Sequence, residues 1–244
     1  KDYFIYLNQN KPEMNHYVLP PFSEEWLLWN IGTLCFIISL IYIGRKLNLL
    51  NQKKMIKGFI VVMVLEYIGI QSYYIYHDLW TVQDSLPFHL CRLMWFNALF
   101  VIITRNQLGF EMLLFIGMVG GFHSLLTPEL THGKSLYLMF DYFLVHGGLV
   151  AIPLYCVWVL GMRPRRFSWI KSFLYFQILV LIVAVLDFVL GANYMYLAEK
   201  PNVNNPLLIG PWPYYILGLQ LATLLHTLII YLPFYFKKSF LLNE

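Results

Sequence analysis

The sequence predicts an all-α membrane bundle of seven transmembrane helices, with the N-terminus outside and the C-terminus in the cytoplasm. Three observations carry this reading. Hydrophobic residues make up 59% of the chain and charged residues 12%, where soluble domains carry roughly 45–50% and about 25%. So little charge cannot clothe a surface that faces water, and lipid takes the place of that surface. The apolar residues also gather in seven runs, and the lysines and arginines fall between those runs on alternate sides.

The runs are Trp26–Ile43, Gly58–Tyr76, Leu86–Ile103, Leu108–Leu126, Leu136–Val159, Trp169–Leu190 and Pro213–Phe236. About 30 Å of hydrocarbon takes roughly 20 helical residues, which most of them supply. The first run begins too far into the chain to be the apolar core of a cleavable signal peptide. Glu111, Gly117, Gly120, Gly121 and His123 interrupt the fourth run. Pro233 comes near the end of the seventh, where a kink costs little.

Arg45, Lys46, Lys53, Lys54, Lys57, Arg105, Arg163, Arg165, Arg166, Lys171, Lys237 and Lys238 share one side if the spans alternate. Lys1, Lys11, Lys134 and Lys200 take the other, with Arg92 near the mouth of the third span. The positive-inside rule then sets the orientation, and six or eight crossings would break the pattern. Trp26, Trp80, Trp169, Trp212 and Tyr214 stand at span ends as an interfacial belt. The outer loops are His77–Ser85, Thr127–Ser135 and Gly191–Gly210. The last holds Pro201, Asn202, Asn204, Asn205 and Pro206, and reads as a folded or partly mobile cap. With no repeat and no soluble segment, residues 1–244 are expected to form a single membrane domain. The sequence sets no oligomeric state, and no nucleic-acid partner is expected.

Polar groups at membrane depth are costly and mark candidate sites. They are Glu66, Gln71, His89, Cys91, Arg92, Asn97, His123, Asp141, His146, Gln177, Asp187, Gln220 and His226. Their placement predicts a polar cavity toward the outer leaflet, lined by spans two, three, five and seven. The alternative is that they bond pairwise and glue the helices together. The densest cluster opens span three, at Leu86-Pro87-Phe88-His89-Leu90-Cys91-Arg92. As a continuous helix, it would put His89 and Arg92 on one face and Cys91 about 160° from His89. A base for Cys91 must then come from another span.

His146 is the best placed base, deep in span five, with Gly147 and Gly148 beside it and Tyr142 one turn above to orient the imidazole. A thiol becomes a nucleophile when an imidazole or cation favours its thiolate. The alternative for Cys91 is a small, packed hydrophobe. By residue count Cys91 lies about five residues into its span and His146 about ten, a depth difference of roughly 7 Å. The three cysteines, Cys35, Cys91 and Cys156, form no disulfide framework. His89, His123, His146 and His226 lie on four spans without an i, i+4 pair; a zinc site assembled from all four is the weaker alternative, and no metal and no cofactor are expected.

Pro21-Phe22-Ser23-Glu24-Glu25-Trp26, Leu86-Pro87-Phe88-His89-Leu90-Cys91 and Asp141-Tyr142-Phe143-Leu144-Val145-His146-Gly147 resemble the bacterial YwaF-like integral membrane proteins. Those are grouped with vertebrate transmembrane protein 164. The chain is also similar, more distantly, to the androgen-induced membrane hydrolases, which cleave fatty-acid esters of hydroxy fatty acids. The resemblance implies an acyltransferase whose cysteine takes a fatty acyl chain from a phospholipid and passes it on. Cys91 matches the nucleophile and His146 the base, and His89 fits the motif. The expected chemistry is acyl transfer or ester hydrolysis on a phospholipid or other fatty-acyl lipid. Arg92 would hold a phosphate or carboxylate, and Gln220 or Asn97 would donate to the oxyanion. The competing reading is a seven-helix transporter or ligand-binding protein that uses the same cavity.

Overall fold

The computed structural model describes residues 16–201 and 207–237. Lys1, Lys11 and Lys238, and the cap residues Asn202, Asn204, Asn205 and Pro206, lie outside that range. The protein is an all-α polytopic membrane protein. Among the described residues six helices are long and apolar enough to cross a membrane. These are α1 (Glu24–Lys46), α2 (Leu49–Tyr76), α4 (Gln107–Leu126), α5 (Leu136–Trp158), α6 (Ser168–Leu190) and α7 (Tyr214–Phe236). Between α2 and α4 stands a shorter apolar helix, α3 (Leu90–Thr104), of 15 residues.

Local chemistry sets most helix ends. Ser23 caps α1 by accepting from the Trp26 amide at 3.3 Å, with Glu24 and Glu25 in the first turn and Arg45 and Lys46 in the last. Both charge placements suit the helix dipole. Asn48 caps α2 through the Asn51 amide at 2.9 Å. That helix therefore begins nine residues before the expected Gly58. Its 28 residues extend about 42 Å, longer than the hydrocarbon, so the lysine-bearing first turns stay helical beyond the apolar run.

The opposite correction applies to α3, which begins at Leu90 and not at Leu86. Pro87 has no amide proton and disfavours a helical Leu86, so the chain reaches His89 in a bend, and His89 serves as the N-cap. A wheel drawn through residues 86–92 therefore does not hold, because His89 is outside the helix.

The interrupted fourth run is a continuous helix with a π-helical turn at Leu113–Gly117. Together α4 and α5 form the buried centre, packed most extensively on each other. The other helices surround this pair: α1 against α5, α2 against α3 and α5, and α6 and α7 against each other and α4. Leu34, Leu65, Leu181, Val189 and Leu217 are exposed, as lipid contact requires. The polar residues that broke the fourth run face protein. Glu111 is 1% exposed and is held by Arg165, whose Nη2 donates to Oε2 at 2.6 Å.

Close approach of α3 to α5 depends on Gly148. A methyl group there would meet the Trp95 ring at 2.4 Å. At one end of the bundle β1 (Tyr17–Val18) and β2 (Glu129–Leu130) form a two-stranded antiparallel ladder, and a 3-10 turn runs over Tyr194–Tyr196. That end holds the cavity.

Candidate functional site

A cavity of about 380 Å³ opens beneath the ladder and the 3-10 turn. It is predominantly apolar, and α4 and α6 contribute walls as well as the expected spans two, three, five and seven. His89, Cys91, Arg92, Tyr142, His146 and Gln220 all line it; Asn97 does not.

Cys91 is the second residue of α3 and His146 the eleventh of α5. Counted from the helix starts, nine residues separate them in depth, about 13 Å at 1.5 Å per residue. Both side chains nevertheless line one chamber, so the two starts are not level: α3 begins deeper than α5. The bend at residues 86–89 is enclosed by protein, with Gln71 donating to the Ser85 carbonyl and the Leu86 amide to the Tyr194 hydroxyl. Irregular backbone is tolerated at membrane depth where protein encloses it.

The first turn of α3 is uncapped by a side chain. Among the described residues, the amides of Leu90, Cys91 and Arg92 have no acceptor. Free amides and the positive end of the helix dipole therefore lie beside the Cys91 thiol. The Cys91 Sγ is 3.8 Å from Ser124 Oγ. Ser124 and Gly120 are four residues apart on α4, and an added methyl at Gly120 would sit 3.9 Å from the same sulfur. Sequence reading missed Ser124, although the small-x-x-x-small spacing with Gly120 marks a face for close helix packing.

His146 Nδ1 lies 2.7 Å from the Tyr142 carbonyl oxygen. A carbonyl can only accept, so Nδ1 carries the proton and Nε2 keeps its lone pair. Among the described residues Nε2 has no hydrogen-bond partner, and the residue faces the cavity. The Tyr142 ring centre is 4.0 Å from the imidazole, and its hydroxyl donates to the Ser124 carbonyl at 3.0 Å. A chain of contacts thus runs from Cys91 through Ser124 and Tyr142 to His146. Cys91 and His146 make no direct hydrogen bond.

The remaining expected residues divide. The Arg92 guanidinium donates to Glu66, and its Nη2 to Asp141 Oδ2 at 2.7 Å. The protein itself therefore supplies the anions expected for Arg92. Asn97 is spent on the Gly109 carbonyl at 2.8 Å, away from the cavity, so it is not placed to meet an oxyanion. Gln220 lines the chamber while its Oε1 accepts from Gln177 at 2.9 Å. His89 packs edge-on to Tyr194, ring centres 4.9 Å apart.

His89, His123, His132 and His146 all line the chamber, and His123 meets His226 edge to face with ring centres 4.7 Å apart. Among the described residues no three His, Cys, Asp or Glu side chains gather at metal-binding distance. A smaller polar recess of about 80 Å³ adjoins the chamber through His89, Arg92 and His132. His132 lies in the loop before α5, and burial lowers its pKa.

These features define a polytopic helical membrane protein in which a thiol at a helix start and an imidazole with a free nitrogen open on one apolar chamber. The profile of the TMEM164 family matches residues 20–231, and the chain belongs to that family. It is similar to an uncharacterized protein of Treponema pallidum (strain Nichols), 28% identical over 152 residues. The matched stretch is 62% of this chain and 63% of that relative, less than two thirds of its length. No solved structure matches the chain.

Proposed function

We propose that the protein is a membrane lipid acyltransferase or ester hydrolase working through an acyl-thioester on Cys91. One observation carries the reading: Cys91, beside unpaired amides, and His146, with Nε2 free, face the same apolar cavity of about 380 Å³. An aliphatic chain fits such a lining, and its ester carbonyl would meet the polar wall.

In this mechanism His146 Nε2 takes the Cys91 proton, directly or through a bridging water. The thiolate attacks the ester carbonyl carbon, a C–S bond forms, and the oxyanion is stabilised by the first-turn amides of α3. The C–O bond then breaks, and the departing alkoxide takes the proton from His146. In the second half, an acceptor hydroxyl or water gives its proton to His146 and attacks the thioester. The C–S bond breaks and the thiolate is reprotonated. Tyr142 holds the His146 tautomer through its carbonyl, and His89 and Gln220 contribute to the chamber wall. Arg92 has another role, argued below. The same reading includes a phospholipid or other fatty-acyl lipid as partner, in a bacterial cytoplasmic membrane, with α3 as a seventh crossing.

The test is covalent labelling of the purified protein by a lipid-like electrophile, comparing wild type with Cys91→Ala and His146→Ala. Labelling should vanish in the first variant and fall about a hundredfold in the second, the usual contribution of a general base. Labelling of Cys91 that is indifferent to His146 would overturn the mechanism and favour a binding or transport role for the cavity.

A further inference from the structure

Cys91 and His146 stand on different helices, and backbone hydrogen bonds fix depth within a helix but not between two. Apolar helix faces in lipid offer little to set that register, since lipid tails are as apolar as the partner helix. The problem is sharpest for α3. Its 15 residues extend about 22 Å, short of the roughly 30 Å hydrocarbon layer, and it is preceded by a bend. A short helix hung from a bend needs an anchor at its start.

Arg92, the residue next to Cys91, meets that need. Its guanidinium is ion-paired to Glu66 of α2 and to Asp141 of α5. The two carboxylate side chains are 4% and 8% exposed, and Asp141 stands five positions before His146 on the same helix. The planar guanidinium can serve both partners at once in fixed directions. One cation therefore ties the first turn of α3 to the two neighbouring helices, in the turn that holds the thiol. The contact chain through Ser124 and Tyr142 makes a second tie on the other side, so Cys91 and His146 sit within a closed frame. A guanidinium already shared by two acidic groups is a poor receiver for a lipid phosphate.

We propose that Arg92 is a positioning residue, held by Glu66 and Asp141, which sets the register between the helix of Cys91 and the helix of His146. Its catalytic consequence rests on the acyl-enzyme reading; its geometric content does not. Two measurements on the full chain, with Cys35 and Cys156 replaced by Ala, keep these apart. The first compares Cys91 labelling by the lipid-like electrophile in Arg92→Gln, His146→Ala and the double variant. Arg92→Gln should label about tenfold to a hundredfold more slowly, as misplacement near 1 Å does. The double variant should label no more slowly than His146→Ala alone, because Arg92 acts through the pair. Additive losses would overturn the proposal.

The second measurement needs no activity. With His146→Cys, a short bis-methanethiosulfonate reagent should link the two cysteines when Arg92 is present and much less in Arg92→Gln. If Arg92→Gln fails to fold, Asp141→Asn, which keeps a carbonyl acceptor for the guanidinium, carries the same comparison with a smaller loss. Equal cross-linking with and without the clamp, in folded protein, would overturn the register role. Wild-type labelling that ignores His146 would sink the acyl-enzyme reading while leaving the cross-link comparison decisive for Arg92.

Discussion

Tyr142 shows how one residue can be separated into two jobs. Its backbone carbonyl fixes the His146 tautomer, and its hydroxyl donates to the Ser124 carbonyl at 3.0 Å. The same hydroxyl accepts from the Glu129 amide at 3.4 Å, so Tyr142→Phe removes both hydroxyl bonds and leaves the carbonyl in place. The expected outcome is a stability loss of about 2 kcal/mol, two hydrogen bonds at roughly 1 kcal/mol each, with His146-dependent labelling kept within a few-fold. Thermal unfolding and labelling rates on one preparation check both halves, and a collapse of His146 dependence would mean the hydroxyl positions the base. At this scale the sequence was informative where a residue is costly in lipid whatever its partner, as with His146 and Arg92. It was uninformative about partners. The Arg92 clamp and the Cys91–Ser124 contact depend on how α2, α4 and α5 are rotated about their axes. Spans of nearly uniform apolarity leave that rotation unspecified, so Arg92 read as a lipid-phosphate site and Asn97 as an oxyanion donor.

Helix existence was legible because the runs are long and apolar, but the ends were not: the caps Ser23 and Asn48 start α1 two residues and α2 nine residues before the apolar runs begin. The start of α3 was missed because periodicity carries straight through Pro87 while the backbone does not. That four-residue shift turns Cys91 from a thiol in the second turn into one beside unpaired amides. The close seating of α3 on α5 gives the matching prediction. A methyl at position 148 would meet the Trp95 ring at 2.4 Å, and both residues are buried in a closely packed interior. Gly148→Ala should therefore cost about 1–3 kcal/mol, as overpacking of a filled interior does, and should slow His146-dependent labelling by prying apart the two helices of the site. Unchanged stability in a thermal or denaturant titration would show that Trp95 has a second seat.

For the whole molecule the open quantity is whether α3 crosses the membrane. Its length argues against it and its surroundings argue for it. The stretch from Asp84 to His89 is non-helical yet stays against protein, with Gln71 bonded to the Ser85 carbonyl and Tyr194 bonded to the Leu86 amide. Backbone protected in this way substitutes for the missing turns of helix at membrane depth. The charge pattern points the same way. Lys54 at the start of α2 and Lys171 at the start of α6 are both exposed and both belong to the cation-rich set. Four helices, α2 to α5, lie between them if α3 crosses, and three if it does not. Lys54→Cys and Lys171→Cys, each in a chain lacking Cys35, Cys91 and Cys156, should then react with a membrane-impermeant maleimide from the same side of sealed vesicles. Reaction from opposite sides would remove α3 from the count of crossings. The comparison is indifferent to the absolute orientation, so it tests the crossing of α3 without assuming which face of the membrane is the cytoplasm.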